Sequence, residues 1–371
     1  MTHPADARAA LTRLFREAPT RAAWFAPAFL ARMPAEEVAT VIGALQNRHG
    51  AFEDVAETET GYVVRLASAE VPTQLVLDAR GLIAGVFFHP PVPTTRTLDD
   101  HLRAVAALPG RTAVLVSSDG RVRASHAAEL PLAVGSAFKL AVLRATADAC
   151  AAGRLAWDGV VRLDPAWRSL PTGILQDWPE RSPLTMETLA NLMISISDNT
   201  ATDALIHLVG RDAVERLSPR NAPFLTTREA FIVKQAGNAA MRRDWAGANP
   251  EGRRAILARL TDNAVPRVDR LATEVTSEID WFFSAEELHG LLDATHHLPA
   301  FRISRGPAGV RPWRSVAYKG GSEAGVLNLS ALVVTKSGRR HCVIVTWNYA
   351  AGLQEERLIE PFRGLLRCLD E

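Results

Sequence analysis

The stretch Val134-Gly135-Ser136-Ala137-Phe138-Lys139-Leu140 sets a serine and a lysine three residues apart at the head of an apolar, alanine- and leucine-rich run. Wound as a helix, that run puts both side chains on one face, a single turn apart. A serine hydroxyl is a poor nucleophile near neutral pH, and a neighbouring lysine can take its proton. The same serine stands at the helix N-terminus, where free backbone N–H groups and the dipole favour negative charge. Four residues thus offer a nucleophile, a base and half of an oxyanion hole. The rest of the chain has to be arranged around that point.

Lysine is scarce here. Of 42 basic residues only Lys139, Lys234, Lys319 and Lys336 are lysines. In a chain that otherwise uses arginine, a lysine suggests chemistry that needs a removable proton. Lys234 and Lys336, outside any motif, read as surface residues. The net charge of +1 gives no ground for nucleic acid or anionic membrane as partner. No run is long and apolar enough to span a bilayer. The start, Met1-Thr2-His3-Pro4-Ala5-Asp6, has neither a basic n-region nor an apolar h-region. The default location is therefore cytoplasmic, or exported if a signal has been trimmed. Cys150, Cys342 and Cys368 show neither metal spacing nor a disulfide framework and read as packed thiols. His289 and His296-His297 lack a further ligand at a metal spacing, so no metal or other cofactor is expected.

At 371 residues the chain is long enough for two domains. Helical periodicity over 5–15 and 34–47 gives way to short strand patterns over 52–57, 61–67, 73–78 and 82–88. Two helices followed by a meander predict a small α+β domain over 1–92. The proline-dense segment His89-Pro90-Pro91-Val92-Pro93-Thr94-Thr95 reads as the linker. In the second domain, over 93–371, a helix from about 98 to 108 precedes a hairpin over 112–125 with an Asp119-Gly120 turn. Helical stretches fill the middle. Strands return over 315–319, 326–335 and 341–347, and an amphipathic helix closes the chain. Strands at both ends with helices between predict one antiparallel sheet built from early and late strands.

Two further motifs match the first. Ser197-Asp198-Asn199 lies 61 positions after Ser136, and Lys319-Gly320-Gly321-Ser322 lies in a predicted strand. The ordered set S-x-x-K, S-D-N and lysine-plus-glycine strand is the signature of class A β-lactamases and penicillin-binding proteins. From the hairpin to the last helix the chain resembles that superfamily. The resemblance implies an antiparallel sheet flanked by helices, with an all-helical lobe. It also implies that Ser136 attacks an amide or ester carbonyl to form an acyl-enzyme, and that Lys139 accepts its proton. Ser197 would relay a proton to the leaving nitrogen, supported by the charge of Lys319. Asn199 would bind a substrate amide and brace Lys139, and the N–H groups of Ser136 and Ser322, beside Gly321, would form the oxyanion hole. The partner would be a small acyl substrate: a β-lactam, an ester or a peptide.

Two departures bear on substrate. Gly320 stands where the superfamily has Thr or Ser to hold a substrate carboxylate, and the Ser322 hydroxyl is the available substitute. For the deacylating carboxylate the best candidate is Glu229. Its neighbourhood, Thr226-Thr227-Arg228-Glu229, equally reads as a capping box. The expected function is a serine acyl hydrolase with weak β-lactam hydrolysis. The alternatives are an esterase or DD-peptidase, or a binding or sensor protein without turnover. Lys319-Gly320-Gly321-Ser322-Glu323 and Asp280-Trp281-Phe282-Phe283-Ser284 make the chain similar to a narrower group found in clavam biosynthesis clusters and among actinobacterial lipoproteins. In that group a steroid-isomerase-like domain of the nuclear-transport-factor type comes first; here it would carry no catalytic set and would shape the cleft or bind a partner.

Overall fold

The structure is a computed structural model and describes residues 6–58, 61–170, 172–260, 265–311 and 313–369. Its backbone contacts divide the chain into two units. One joins Met1–His101 with Pro307–Trp313 and Ile359–Glu371, and the other joins Leu102–Gly306 with Arg314–Leu358.

The first unit begins with α1 (Ala7–Arg16), whose Asp6 cap accepts from the Arg8 N–H, and α2 (Ala35–His49), with Glu36 and Glu37 in its first turn. A meander of β1 (Phe52–Thr58), β2 (Gly61–Leu66), β3 (Ala69–Leu77) and β4 (Ile83–Phe88) pairs in sequence order. Leu11 and Leu14 from α1 and Val38 and Ile42 from α2 share one core with Val55, Val64, Val71 and Ile83 from the strands. The proline-dense segment is not a free linker. Val92–Pro93 forms β5 on Ala69 and Glu70 of β3, and Thr94 N–H donates to Ser68 O (2.9 Å). Pro93 is tolerated because this strand is an edge, where a missing N–H leaves no ladder bond broken.

In the second unit, β6 (Arg111–Ser118), β7 (Arg121–His126), β8 (Leu132–Ala133) and α3 (Lys139–Ala151) come first. Then follow α4 (Met186–Ser195), α5 (Asn199–Val209), α6 (Thr227–Val233), β9 (Phe282–Phe283) and α7 (Ala285–Thr295). Last come β10 (Ser315–Glu323), β11 (Val326–Val334) and β12 (Arg340–Asn348). Early and late strands join one antiparallel sheet in the order β10-β11-β12-β6-β7, as the pattern predicts.

The middle strands β11 and β12 are buried along nearly their whole length, so they read as continuous apolar runs rather than alternating ones. Their polar residues satisfy one another: Asn328 Nδ2 donates to Thr346 Oγ1 (2.9 Å) and Ser330 Oγ to Asn328 Oδ1 (2.7 Å). The helix after Ser136, α3, is buried over most of its surface, with Arg144 and Asp148 paired on its outer side (2.8 Å). Trp281 stacks on Phe138 with ring centroids 3.7 Å apart, a contact worth about 1 kcal/mol beyond area burial. The pairing of β9 with β8, and the bond from Val134 N–H to Trp281 O (3.1 Å), bring the Asp280 segment to the head of the Ser136 turn.

Candidate active site

Ser136 lies in a 3-10 turn, Gly135–Phe138, and the α-helix starts at Lys139. The expected single helix is therefore tightened at its first turn, a common form for an N-terminus. The turn is pinned by neighbours: Asn348 Oδ1 accepts from Ala133 N–H (3.0 Å) and its Nδ2 donates to Ala133 O (2.9 Å). Strand β10 presses directly on it. A Cβ placed on Gly321 would overlap Val134 O and stand 2.6 Å from Ser136 N and 2.8 Å from Ala137 N. Only glycine allows this approach. On the other side, Ser322 N lies 3.2 Å from a Cβ placed on Gly135. The N–H groups of Ser136 and Ser322 thus flank one backbone contact. The Ser136 side chain is half-buried, and its hydroxyl makes no hydrogen bond among the described residues.

Ser197 sits at the break between α4, which ends at Ser195, and α5, which Asp198 caps by accepting from Ala201 N–H (2.8 Å). Its φ of +59° is left-handed, a strained setting of order 1 kcal/mol for a non-glycine residue. Two donors hold it there, Lys139 Nζ (2.6 Å) and Thr172 Oγ1 (2.7 Å), both on the Ser197 carbonyl. Lys139 Nζ also reaches Ser197 Oγ (3.0 Å) and Asn199 Oδ1 (2.8 Å). Lys319 Nζ reaches the same Ser197 Oγ (3.1 Å) and its neighbour's carbonyl, Gly320 O (2.6 Å). One hydroxyl lies between two lysines.

Both amines are buried and both are driven toward the neutral form. Desolvation, then the nearby Lys319 charge, holds Lys139 well below the usual lysine range, while Asp198 and Asp203 pull the other way. Burial brings Lys319 down to about 7. Asp203 is itself pushed up to about 6 by burial, against the bonds it accepts from Thr227 N–H (2.7 Å), Thr227 Oγ1 (2.8 Å) and Arg228 N–H (2.8 Å). A neutral Lys139 has two N–H donors and one lone pair. Ser197 O and Asn199 Oδ1 can only accept, so they take the donors. The lone pair is left for Ser197 O–H, and Ser197 Oγ in turn accepts from Lys319.

The other expected residues are placed as follows. Asn199 braces Lys139, but its Nδ2 donates to Leu170 O (2.9 Å), so the amide faces the chain as well as the site. A Cβ at position 320 would collide with the Tyr318 hydroxyl, so a Thr or Ser in place of Gly320 would require that side chain to shift. The Ser322 hydroxyl donates to Glu355 Oε1 (2.9 Å), so a carboxylate of the protein already occupies the group expected to receive a substrate carboxylate. Glu229 takes the capping-box role of the two weighed for it. Its Oε2 accepts from Thr226 N–H (2.8 Å), and Arg211 binds both carboxylate oxygens (3.0 and 2.7 Å). None of its bonds reaches Ser136, Lys139 or Ser197.

Lys234 corrects its surface reading: it is 4% exposed and paired with Glu323. The rarity of lysine was a signal for it, but its partner lies 89 positions away. Lys336 is exposed. His289 bonds Ser117 Oγ (2.9 Å) and His296 bonds Asp293 O (2.8 Å). Among the described residues no helix is long and apolar enough to cross a membrane.

The sequence model of the Beta-lactamase enzyme family matches residues 96–221, a span that contains Ser136, Lys139 and Ser197 and stops short of Lys319. Among solved structures, the chain is similar to a class A β-lactamase representative from Bacteroides cellulosilyticus and to a β-lactamase from Desulfarculus baarsii. Each superposes with a TM-score of 0.51 at 17% identity, over 74% of this chain and 99% of the other. No curated protein sequence matches. At this identity the likeness gives the fold: antiparallel sheet and flanking helices of the β-lactamase-like type.

Proposed function

We propose that this β-lactamase-like chain is a serine acyl hydrolase that forms an acyl-enzyme at Ser136. The observation that carries the reading is the Ser197 hydroxyl held between Lys139 Nζ and Lys319 Nζ. Ser136 Oγ bonds to the carbonyl carbon, and its proton passes to the neutral Lys139 amine, whose lone pair turns to it from the Ser197 hydroxyl. Charge that develops on the carbonyl oxygen is met by the Ser136 and Ser322 N–H groups, each worth about 3 kcal/mol when aimed at the oxyanion. As the C–N or C–O bond breaks, the proton moves from Lys139 through Ser197 to the leaving atom, and Lys319 keeps the relay hydroxyl oriented. Water then attacks the ester with Lys139 again as base; the acyl–Oγ bond breaks, and the proton returns from Lys139 to Ser136 Oγ. No cofactor enters these steps, and the substrate is a small acyl donor.

β-Lactam turnover is weak in this reading. Glu229 is held by Arg211 and its cap, so it supplies no second base. The Ser322–Glu355 bond sets a carboxylate where a β-lactam would present its own. That contact favours the esterase reading for neutral donors, with DD-peptidase or non-turnover binding behind it. For the first unit we propose the steroid-isomerase-like type in a non-catalytic role; the boundary expected near residue 92 falls inside this unit, whose first stretch runs to His101. Two helices on an antiparallel meander support it.

The test is intact-protein mass after mixing with a penicillin, a cephalosporin and a simple aryl ester, beside Ser136→Ala. A covalent adduct on the wild type that the variant lacks supports acyl-serine chemistry, and its lifetime separates hydrolase from slow acceptor. Equal labelling of both proteins overturns the assignment.

A further inference from the structure

Behind the two oxyanion donors lies a group of charged side chains that the acylation steps leave without a task. Asp280 is 7% exposed. Its Oδ1 accepts from Gly135 N–H (3.0 Å) and from Trp281 N–H (2.6 Å). Its Oδ2 is buried and has no hydrogen-bond partner among the described residues. Lys234, at the end of α6, pairs with Glu323 and lies 5.7 Å over the Phe231 ring. Glu323 immediately follows Ser322 in β10. Asp280 and Lys234 are buried and Glu323 half-buried, a costly set, since a buried charge loses several kcal/mol of hydration unless fully paired. The two attachment points are telling. One is Gly135, directly before Ser136 and itself left-handed at φ +50°; the other is Glu323, directly after Ser322.

We propose that Asp280, with Lys234 and Glu323, is a positioning cluster that fixes the spacing of the Ser136 and Ser322 N–H groups by holding the residue next to each. The inference rests on the reading of Ser136 as nucleophile. The charged groups that act on Asp280 are Glu323 from β10 and Lys234 at the end of α6, beside the Gly135 and Trp281 N–H groups that its Oδ1 accepts from. Burial and the Glu323 carboxylate push the Asp280 carboxyl up to about 7, against Lys234 and the two N–H bonds. Below that pH the acid is neutral, and the cluster carries one cation and one anion. Above it two carboxylates share a single ammonium, and their repulsion loosens the strand after Ser322. Acylation should therefore fall on the alkaline side.

The experiment is burst acylation by nitrocefin and by 4-nitrophenyl acetate across pH, with thermal unfolding alongside, in the wild type, Ser136→Ala, Asp280→Ala and Asp280→Asn. Asp280→Ala should lower the acylation rate about 10²-fold, the scale of one lost oxyanion donor, with KM little changed. Asp280→Asn keeps an Oδ1 acceptor without the charge. It should stay within about threefold of wild type below pH 7 and lose the alkaline fall. A folded Asp280→Ala that acylates at the wild-type rate overturns the proposal. So does an Asp280→Asn that retains the alkaline fall, which would assign that limb to Lys319; this arm also decides the matter if Asp280→Ala does not fold. If wild type and Ser136→Ala react alike with both probes, the nucleophile reading fails, and this proposal with it.

Discussion

Three of the four lysines are buried in one unit, and they meet opposite surroundings. Lys139 and Lys319 face each other across a serine hydroxyl, with no carboxylate in direct contact among the described residues. Lys234 faces a carboxylate, Glu323, with a second, Asp280, close enough to be pushed up by it. Burial is alike in both places, and it is the first cause that holds Lys139 and Lys319 down. What differs is the partner. The Lys319 charge adds to burial in holding Lys139 toward the neutral form, whereas Lys234 is ion-paired with a carboxylate. The first arrangement can move protons; the second can hold backbone in place.

The sharpest way to break this contrast is to remove each amine in turn. Lys139→Met should lower acylation by about 10³-fold, within the range for loss of a general base. Lys234→Met leaves two acids without their cation. It should cost melting temperature first and acylation by about 10-fold or less, short of a lost oxyanion donor. Burst kinetics and thermal unfolding on the same samples check both. Equal losses of acylation would erase the distinction between base and scaffold.

A second effect, next in size, tests whether the two site lysines are electrically linked. The Lys319 charge helps to hold Lys139 down. Acylation requires neutral Lys139, so its rate rises with pH as that proton leaves. Lys319→Met takes away the neighbouring positive charge, lets Lys139 keep its proton to higher pH, and moves the acid limb upward. The loss of the relay lowers the plateau as well, by about 10²-fold. A plateau that drops while the acid limb stays in place would mean that desolvation alone sets Lys139.

Much of this was legible in the sequence, for a physical reason. Ser136, Lys139, Ser197 and Lys319 announce themselves because the residue types are fixed by chemistry and two of them use a rare amino acid. The strands over 315–323, 326–334 and 340–348 are apolar runs long enough to read, and their place in one sheet with β6 follows from strands at both ends of a helical stretch. The Asp280 cluster was not legible, because its three members come from separate elements and only tertiary packing joins them. Lys234 carried the same rarity signal as Lys139 but sat in no motif. The Val92–Pro93 strand was hidden by its prolines, which mark a linker and an edge strand alike.

Glu229 gives a smaller effect and guards against a different confusion. It resembles a deacylating base by its position after Ser197, yet its carboxylate closes a capping box and binds Arg211. Glu229→Gln should leave the lifetime of a Ser136 adduct unchanged. Loss of the charged pair and weakening of the cap should cost about 1 kcal/mol, a few degrees in melting temperature. A stabilised adduct would return Glu229 to the site.

The smallest expected effect concerns substrate charge. The Ser322 hydroxyl donates to Glu355 Oε1, and both residues are exposed, so the carboxylate is screened by water and its influence is modest. It nevertheless stands beside the oxyanion donor, where an anionic acyl donor must place its own charge. Glu355→Gln keeps a side-chain oxygen that can accept from Ser322 while it removes the negative charge. For a penicillin, kcat/KM should rise about threefold to tenfold, the scale of roughly 1 kcal/mol of relieved repulsion. For a neutral aryl ester it should barely change. The gain should shrink as salt is raised, because screening already weakens the repulsion in the wild type. A gain of equal size for both donors would mean that the substitution frees the Ser322 strand and not the charge of the site. No gain for either would make Glu355 a bystander, and the preference for neutral donors would then have to come from Gly320 and the Tyr318 hydroxyl that covers it.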